Sequence, residues 1–282
     1  MKRQLHTLLL ALFPLIIAAQ DIIYEKSDSA RIEHIIQQHA ALKYNDKGEL
    51  TLAIAKEFIG SNYVANTLEN GNREPLYISC SKFDCTTFVE LVTAISMSIT
   101  NGETAFNNVC HNLEKIRYRE GKRKGYASRL HYMSWWIADN SKRRIVEEVT
   151  HNSAHKEYSL TLDFMSTHPD SYSMLTGSKR MQTTISELEK PFRGIKVQYI
   201  PKELLSSDKE ALDIQNGDII ALVTSIKGLD VSHVGFAEWK EGKLHLVHAS
   251  SSSGKVISDP VSLYRYQKEK SRQKGIRVIR IR

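Results

Sequence analysis

Cys85 stands directly after Asp84 and just ahead of Phe88, Leu91, Val92, Ile95 and Ile99, apolar residues spaced as one face of a helix. Asp84 is a favoured N-cap, so the pattern predicts a helix that starts at Cys85 and ends before Asn101-Gly102. The thiol then lies in the first turn, beside the positive end of the helix dipole. That field favours thiolate, the nucleophilic form. His233 follows 148 residues later, within the strand-like run Val231–Trp239, and His248 lies in the next such run, Lys243–Ala249. An even-length loop between the runs places His233 directly opposite His248, on one face and about 5 Å apart. An odd-length loop would turn the two imidazoles to opposite faces. In the first arrangement His233 takes the thiol proton, or the two rest as a thiolate–imidazolium pair, and His248 orients His233. Cys85 attacks an amide carbonyl, and helix-start N–H groups steady the oxyanion.

The same residue types have other uses. Cys85, His233 and His248 could hold zinc, but no further ligand pair at short spacing accompanies them; neither a metal nor another cofactor is expected. His245 falls on the opposite strand face and reads as surface. Ser250–Ser253 lacks a G-x-S-x-G elbow and reads as a polar loop. The cysteines are Cys80, Cys85 and Cys110, an odd set, so at least one thiol is free unless chains pair; Cys85 is the expected one. Whether Cys80 and Cys110 pair stays open.

The elements that must position these groups are legible in outline. Residues 29–44 and 50–60 predict two helices separated by a turn at Gly48. Residues 60–84, with Gly60, Asn62, Gly71, Asn72 and Pro75, predict an extended loop leading to the nucleophile. A helix over 103–117 follows, then a solvated basic loop from Arg117 to Lys124. Ile145–Val149 is a short strand or helix, and further helices are expected around Phe164–Tyr172 and Ser186–Lys190. The last third is strand-rich: Asp218–Thr224, the two histidine runs, Lys255–Ser258 and Gly275–Ile281. Helices before an antiparallel sheet make an α+β fold, read as one domain over 21–282 with a helical insertion at about 103–200.

Lys2 and Arg3, the apolar stretch Leu8–Ala18 and Ala-Ala-Gln have the layout of a signal peptide cut near Gln20; an uncleaved N-terminal anchor is the other reading. The apolar stretch is short for a membrane span. The 282 residues carry a formal charge of +7, and loss of residues 1–20 removes two basic residues and leaves +5. That suits an anionic cell-wall surface. No arginine-rich tract with interleaved aromatics points to nucleic acid. A periplasmic location is expected, with no membrane anchor after cleavage; oligomeric state is not legible.

At these residues the chain resembles the NlpC/p60-type, papain-like cell-wall hydrolases. Asp84-Cys85, Gly217-Asp218, His233-Val234-Gly235 and His248-Ala249 match their pattern, whereas Asp-Cys-Thr-Thr-Phe replaces the usual Asp-Cys-Ser-Gly-Phe. That departure and the long spacing from Cys85 to His233 are similar to one branch, the N-acetylmuramoyl-L-alanine amidases acting on 1,6-anhydro-muropeptides. Its features stand here as Gly60 to Glu69, Phe83 to Glu90, Ser128 to Tyr132 with Trp135, Tyr199 to Lys202, and His248 to Ser251. Asn62 and Asn66 depart from the Pro and Gly of that branch. The resemblance implies a papain-like fold and cleavage of the muramoyl–L-alanine amide in peptidoglycan fragments. It implies Cys85, His233 and His248 as the catalytic set, and Tyr63 near the oxyanion. Glu69, Arg129, His131, Tyr132 and Trp135 are then candidates for substrate contact, although a Tyr-Trp cluster serves equally as core. Cleavage of the γ-D-glutamyl–diamino-acid bond in the stem peptide is the rival activity, a non-catalytic wall-binding module is a different class, and a metal-dependent amidase is the remaining option.

Overall fold

The computed structural model describes residues 21–69, 73–206 and 211–282. The expected signal segment, residues 1–20, lies outside them. In chain order the elements are β1 (Ile22–Ile23), α1 (Lys26–Ala40), α2 (Lys47–Lys56), β2 (Asn62–Tyr63), β3 (Leu76–Tyr77), β4 (Lys82–Phe83), α3 (Cys85–Thr100) and α4 (Phe106–Arg117). There follow α5 (Met133–Lys142), β5 (Val146–Glu148), β6 (Lys156–Thr161), α6 (Phe164–Thr167), α7 (Lys179–Glu189) and β7 (Arg193–Pro201). The last are β8 (Ile219–Thr224), β9 (Val231–Lys240), β10 (Lys243–Ser250), β11 (Lys255–Ser258), α8 (Leu263–Lys268) and β12 (Gln273–Ile281).

α3 begins at Cys85, as the spacing predicts. Asp84 caps it by accepting from Thr87 N at 2.8 Å, while the Thr87 hydroxyl returns to Asp84 N at 3.0 Å. The helix is buried almost all round, from Thr87 to Ser98, as expected of a helix enclosed by other layers. Its polar residues are satisfied inside the core: the Ser96 hydroxyl meets that of Thr51 at 2.8 Å, and Asn112 Nδ2 donates to the Ser98 hydroxyl at 2.9 Å.

The main sheet runs β4-β2-β11-β10-β9-β8-β12-β7-β6, with β5 also on β12. All its pairings are antiparallel except β2 with β4, so it is mixed where an antiparallel sheet was expected. Strand alternation divides its side chains between two apolar clusters. Val234, Phe236, Val247 and Ala249 join the core built on α3, whereas Ala237, Leu244 and Leu246 join the cluster that includes Leu263 of α8.

Several expectations need correction. Gly48 lies inside the first turn of α2, not between helices. It is there for close approach: a Cβ on Gly48 would sit 2.2 Å from Asn216 O, and one on Gly217 (φ +80°) 2.0 Å from Gly48 O. The two glycines press together the backbones of α2 and the turn before β8. The insertion is not purely helical, because β6 and β7 form an antiparallel pair that extends the sheet. The helix expected around Phe164–Tyr172 is the single turn α6 followed by a 3-10 turn, while α7 begins earlier, at its Ser178 cap. The basic stretch opens with a buried residue: Arg117 Nε donates to Glu90 Oε2 at 2.7 Å and Nη1 to Tyr77 O at 2.8 Å. Burying both charges together is what lets a guanidinium leave solvent.

Candidate active site

Four phenylalanines fix the start of α3 against the sheet. Phe88 lies one turn beyond Cys85 and meets Phe83, Phe58 and Phe236 edge-on at 5.6, 6.4 and 5.7 Å. The Cys85 sulfur thereby comes against β9, where it accepts a hydrogen bond from Val234 N–H. All three cysteines are free thiols; Cys80 and Cys110 are buried and Cys85 is partly covered.

The hairpin turns on Glu241 and Gly242, both at positive φ (49° and 72°), which fits a two-residue turn of type I′. Lys240 therefore pairs with Lys243, and the register shifts by two from the one expected. Continued along the strands, it sets His248 opposite Gly235, with His233 as its diagonal neighbour. Because the shift is even, both histidines keep a common face. Gly235 makes room, since a Cβ there would sit 2.8 Å from His248 Cβ. Beside His233 the β8–β9 register slips between Leu222 and Val223, leaving Ser232 as an extra residue, a bulge of the kind that re-aims side chains.

The result is a relay. His233 Nε2 meets His248 Nδ1 at 2.6 Å, and His248 Nε2 meets Asp259 Oδ2 at 3.2 Å. Burial pushes the Asp259 carboxyl upward, but hydrogen bonds from His248 and Val261 N–H outweigh it and hold Asp259 below its usual range. An ionised Asp259 accepts from His248 Nε2–H, so His248 Nδ1 is the acceptor for His233 Nε2–H. The nitrogen with a free lone pair on His233 is then Nδ1. Asp259 escaped the sequence reading. It follows the short β11 and is placed by its own N–H, which donates to Leu246 O at 2.7 Å; no motif marks it. His245, expected at the surface, is buried, with Nδ1 bonded to Asp259 O at 2.9 Å, so it buttresses the same residue from the other face.

Cys85 and His233 line one pocket of about 150 Å³, with Met133, Trp136 and Asp230 among its walls. A second lobe of about 180 Å³ is lined by Glu69, Arg129, His131 and Tyr132, with Asp84 at its border. The lobes share Thr86, Glu90, Leu130, His131 and Leu229, so they form one continuous cleft. Within it Arg129 Nη2 donates to Glu69 Oε1 at 2.8 Å and its Nε lies 3.2 Å from Glu74. His131 Nε2 donates to Tyr126 O at 2.8 Å, and burial, then Arg129, hold its ring neutral. The Tyr132 hydroxyl donates to Glu189 Oε1 and accepts from Met165 N, both at 2.7 Å, so only its ring is left for the cleft. Tyr63 is carried beside Phe83 by the β2–β4 pair; burial, then the nearby Cys85 and Asp84, raise its phenol. Trp135 is different. It is buried, packs on Tyr132 at 4.9 Å and under Arg119 at 5.1 Å, and lines neither lobe, so it supports the cleft from the core.

Two asparagines in the loop before α3 acquire reasons. Asn62 N–H donates to Ser81 O at 2.9 Å, a bond proline could not make. Asn66 has φ 58°, the left-handed conformation that asparagine tolerates in place of glycine.

Burial pushes the Cys85 thiol up to about 11, with the Asp84 carboxylate adding to it. Burial also pushes His233 down to about 3, helped by His248 and Lys270. The resting pair is therefore thiol and neutral imidazole, not the thiolate that the helix dipole alone predicts, because desolvation outweighs the dipole. A thiol, a neutral base with its tautomer fixed, and helix-start N–H groups in one cleft are equipped for acyl transfer.

The sequence pattern of the AmiA-like family, described as N-acetylmuramoyl-L-alanine amidase-like, matches residues 53–276. This chain belongs to that family and is an amidase. It is similar to an N-acetylmuramoyl-L-alanine amidase from Bacteroides uniformis at 37% identity, with 84% of this chain and 99% of that one aligned and a TM-score of 0.79. A Bacteroides fragilis protein carrying a provisional xylanase name aligns at 41% identity over 82% of this chain and 100% of its own, with a TM-score of 0.77. A Legionella pneumophila protein at 24% identity, covering 90% of this chain and 96% of its own, shares the fold with a TM-score of 0.65. No curated protein matches.

Proposed function

We propose that the protein is a cysteine amidase of papain-like, NlpC/p60 type that cleaves the amide between the muramoyl lactyl group and L-alanine in peptidoglycan fragments, with 1,6-anhydro-muropeptides as the preferred substrates. The observation that carries the reading is the hydrogen-bonded series His233–His248–Asp259, whose first ring opens into the cleft that holds Cys85. His233 Nδ1 takes the Cys85 proton as sulfur adds to the lactyl carbonyl. N–H groups of the first turn of α3 receive the oxyanion. Collapse breaks the C–N bond, and the proton on His233 passes to the departing alanine nitrogen. A water molecule then gives its proton to His233 and attacks the thioester, returning the thiol and releasing a carboxylate. The imidazolium exists only between these transfers, and Asp259 supports it through His248.

The cleft supports this substrate class. Its second lobe is lined by the buried Arg129 guanidinium, the Glu69 carboxylate and the Tyr132 ring, groups that orient a peptide and stack on a sugar. The reading places the enzyme in the periplasm, delivered by the N-terminal signal. Among the described residues no helix is long and apolar enough to cross a membrane.

Digestion of a defined anhydro-muropeptide, followed by product mass, tests the reading. Free anhydro-sugar and an intact stem peptide are expected, and Cys85→Ala abolishes turnover while keeping the fold. A truncated stem would assign the γ-D-glutamyl bond instead, and unchanged turnover by Cys85→Ala would remove the thiol mechanism.

A further inference from the structure

A larger cavity, about 640 Å³, lies away from the cleft. It uses a different face of α5: Met133 and Trp136 line the catalytic pocket, whereas Ser134, Ile137, Ala138 and Ser141 line this one. Phe192, Ile195 and Val197 form the facing wall, so most of the surface is apolar. The volume is that of a site for a small organic molecule. Neither Cys85 nor His233 borders it, and its apolar walls do not suit a sugar or a stem peptide.

Arg282 and Glu147, which pair with each other, also line the cavity, and three further polar features bear on a ligand. Arg277, buried to 3% exposure, donates from Nε and Nη2 to both oxygens of Glu148 at 2.7 and 2.9 Å, and from Nη1 to Ser134 Oγ at 2.7 Å. A guanidinium has five N–H groups, so two remain beyond these bonds among the described residues. Ser141 Oγ is buried with no hydrogen-bond partner among them. Arg144 also borders the cavity, is exposed, and has no carboxylate partner among the described residues.

Arg144 holds an unusual backbone position. Arg144 N donates to Ser141 O at 2.9 Å and Ile145 N to Asn140 O at 3.0 Å, which closes α5 with Arg144 at φ 59°. Glycine is the lower-energy residue at such a helix end. An arginine there sets a guanidinium at the cavity, whose lining also holds Arg277 with donors to spare and Ser141 with its unpartnered hydroxyl.

We propose that this cavity binds a small carboxylate with an apolar body, its carboxylate meeting Arg144, Arg277 and the Ser141 hydroxyl, and its body lying against Ile137, Phe192, Ile195 and Val197. Glu148 keeps Arg277 rigid and charged, so the Arg277 donors are preformed. The site is separate from the hydrolytic one, and its occupancy does not depend on which amide the enzyme cuts.

Titration calorimetry of the full chain with 2-naphthoate, and with the neutral 2-naphthamide, tests it. One naphthoate per chain is expected, with the amide at least tenfold weaker. Arg144→Gly should weaken naphthoate at least tenfold while its melting temperature stays equal or rises, because glycine relieves the left-handed cap. No binding at millimolar naphthoate, equal binding of acid and amide, or undiminished binding by folded Arg144→Gly would each overturn the proposal.

Discussion

Replacing Asp259 with asparagine removes one charge and one of two acceptor oxygens. The carboxylate spends one oxygen on each donor, Oδ2 on His248 Nε2–H and Oδ1 on Val261 N–H at 2.8 Å; with its single oxygen toward His248 the amide retains the tautomers and gives up the bond from Val261 N–H. What the reaction loses is the attraction between the carboxylate and the imidazolium that forms on His233. The path runs 2.6 Å to His248, across its ring, and 3.2 Å to Asp259. At a separation of about 8 Å and an effective dielectric of about 20, that attraction is worth about 2 kcal/mol. If the imidazolium is present in the transition state, its loss slows turnover by about 30-fold. The expected outcome is a drop of that order in kcat/KM on a muropeptide, read by product chromatography, with a melting temperature lower by about 2–4 °C for the one loop hydrogen bond given up. A folded Asp259→Asn enzyme within twofold of the parent would show that the second histidine needs no carboxylate behind it.

Other consequences concern fit and charge. Gly235→Ala drives a Cβ to 2.8 Å from His248 Cβ, and a shift of several tenths of an ångström at a positioning group should cost about 10- to 100-fold in kcat; unaltered kinetics would mean that the rings need no such fit. Glu90→Ala leaves the Arg117 guanidinium buried without its carboxylate and should destabilise the fold by about 3–5 kcal/mol in urea titrations, whereas a change under about 1 kcal/mol would contradict a buried pair. His233 titrates at about 3 in the folded chain and near 6.5 when unfolded, so the unfolded state binds the extra proton in that window. Stability is full above the window and falls with pH by up to about 1.4 kcal/mol per unit, and His131 acts in the same sense. Urea midpoints at pH 7, 5 and 4 should decline, less steeply in His233→Gln; equal slopes would contradict the depressed imidazole.

The nucleophile was legible because Asp84 and the 3.6-residue spacing after it are local signals, and local geometry delivered both the cap and the helix start. The two histidines were legible for a different reason. Period-two alternation survives a register shift of two, so the common face held even though the partner of His248 proved to be Gly235. Asp259 was not legible, because its place depends on pairing between β10 and β11 and on one backbone bond to Leu246. The β6–β7 pair was missed since only Leu160 is buried along β6, leaving almost no alternation to read. Arg117 looked like solvent-facing charge until Glu90 and Tyr77, distant in sequence, closed over it. Trp135 and Tyr132 are adjacent in the core, yet only the tyrosine ring reaches the cleft, a distinction that side-chain type alone does not carry.

Intact and peptide mass spectrometry of the enzyme, acid-quenched during turnover of an anhydro-muropeptide, bears on nucleophile and scissile bond together. The mechanism predicts a thioester on Cys85 whose added mass is the anhydro-muramoyl sugar portion without any amino acid. An adduct that carries part of the stem peptide, or turnover with no adduct on Cys85 under conditions where acylation outruns hydrolysis, would contradict it.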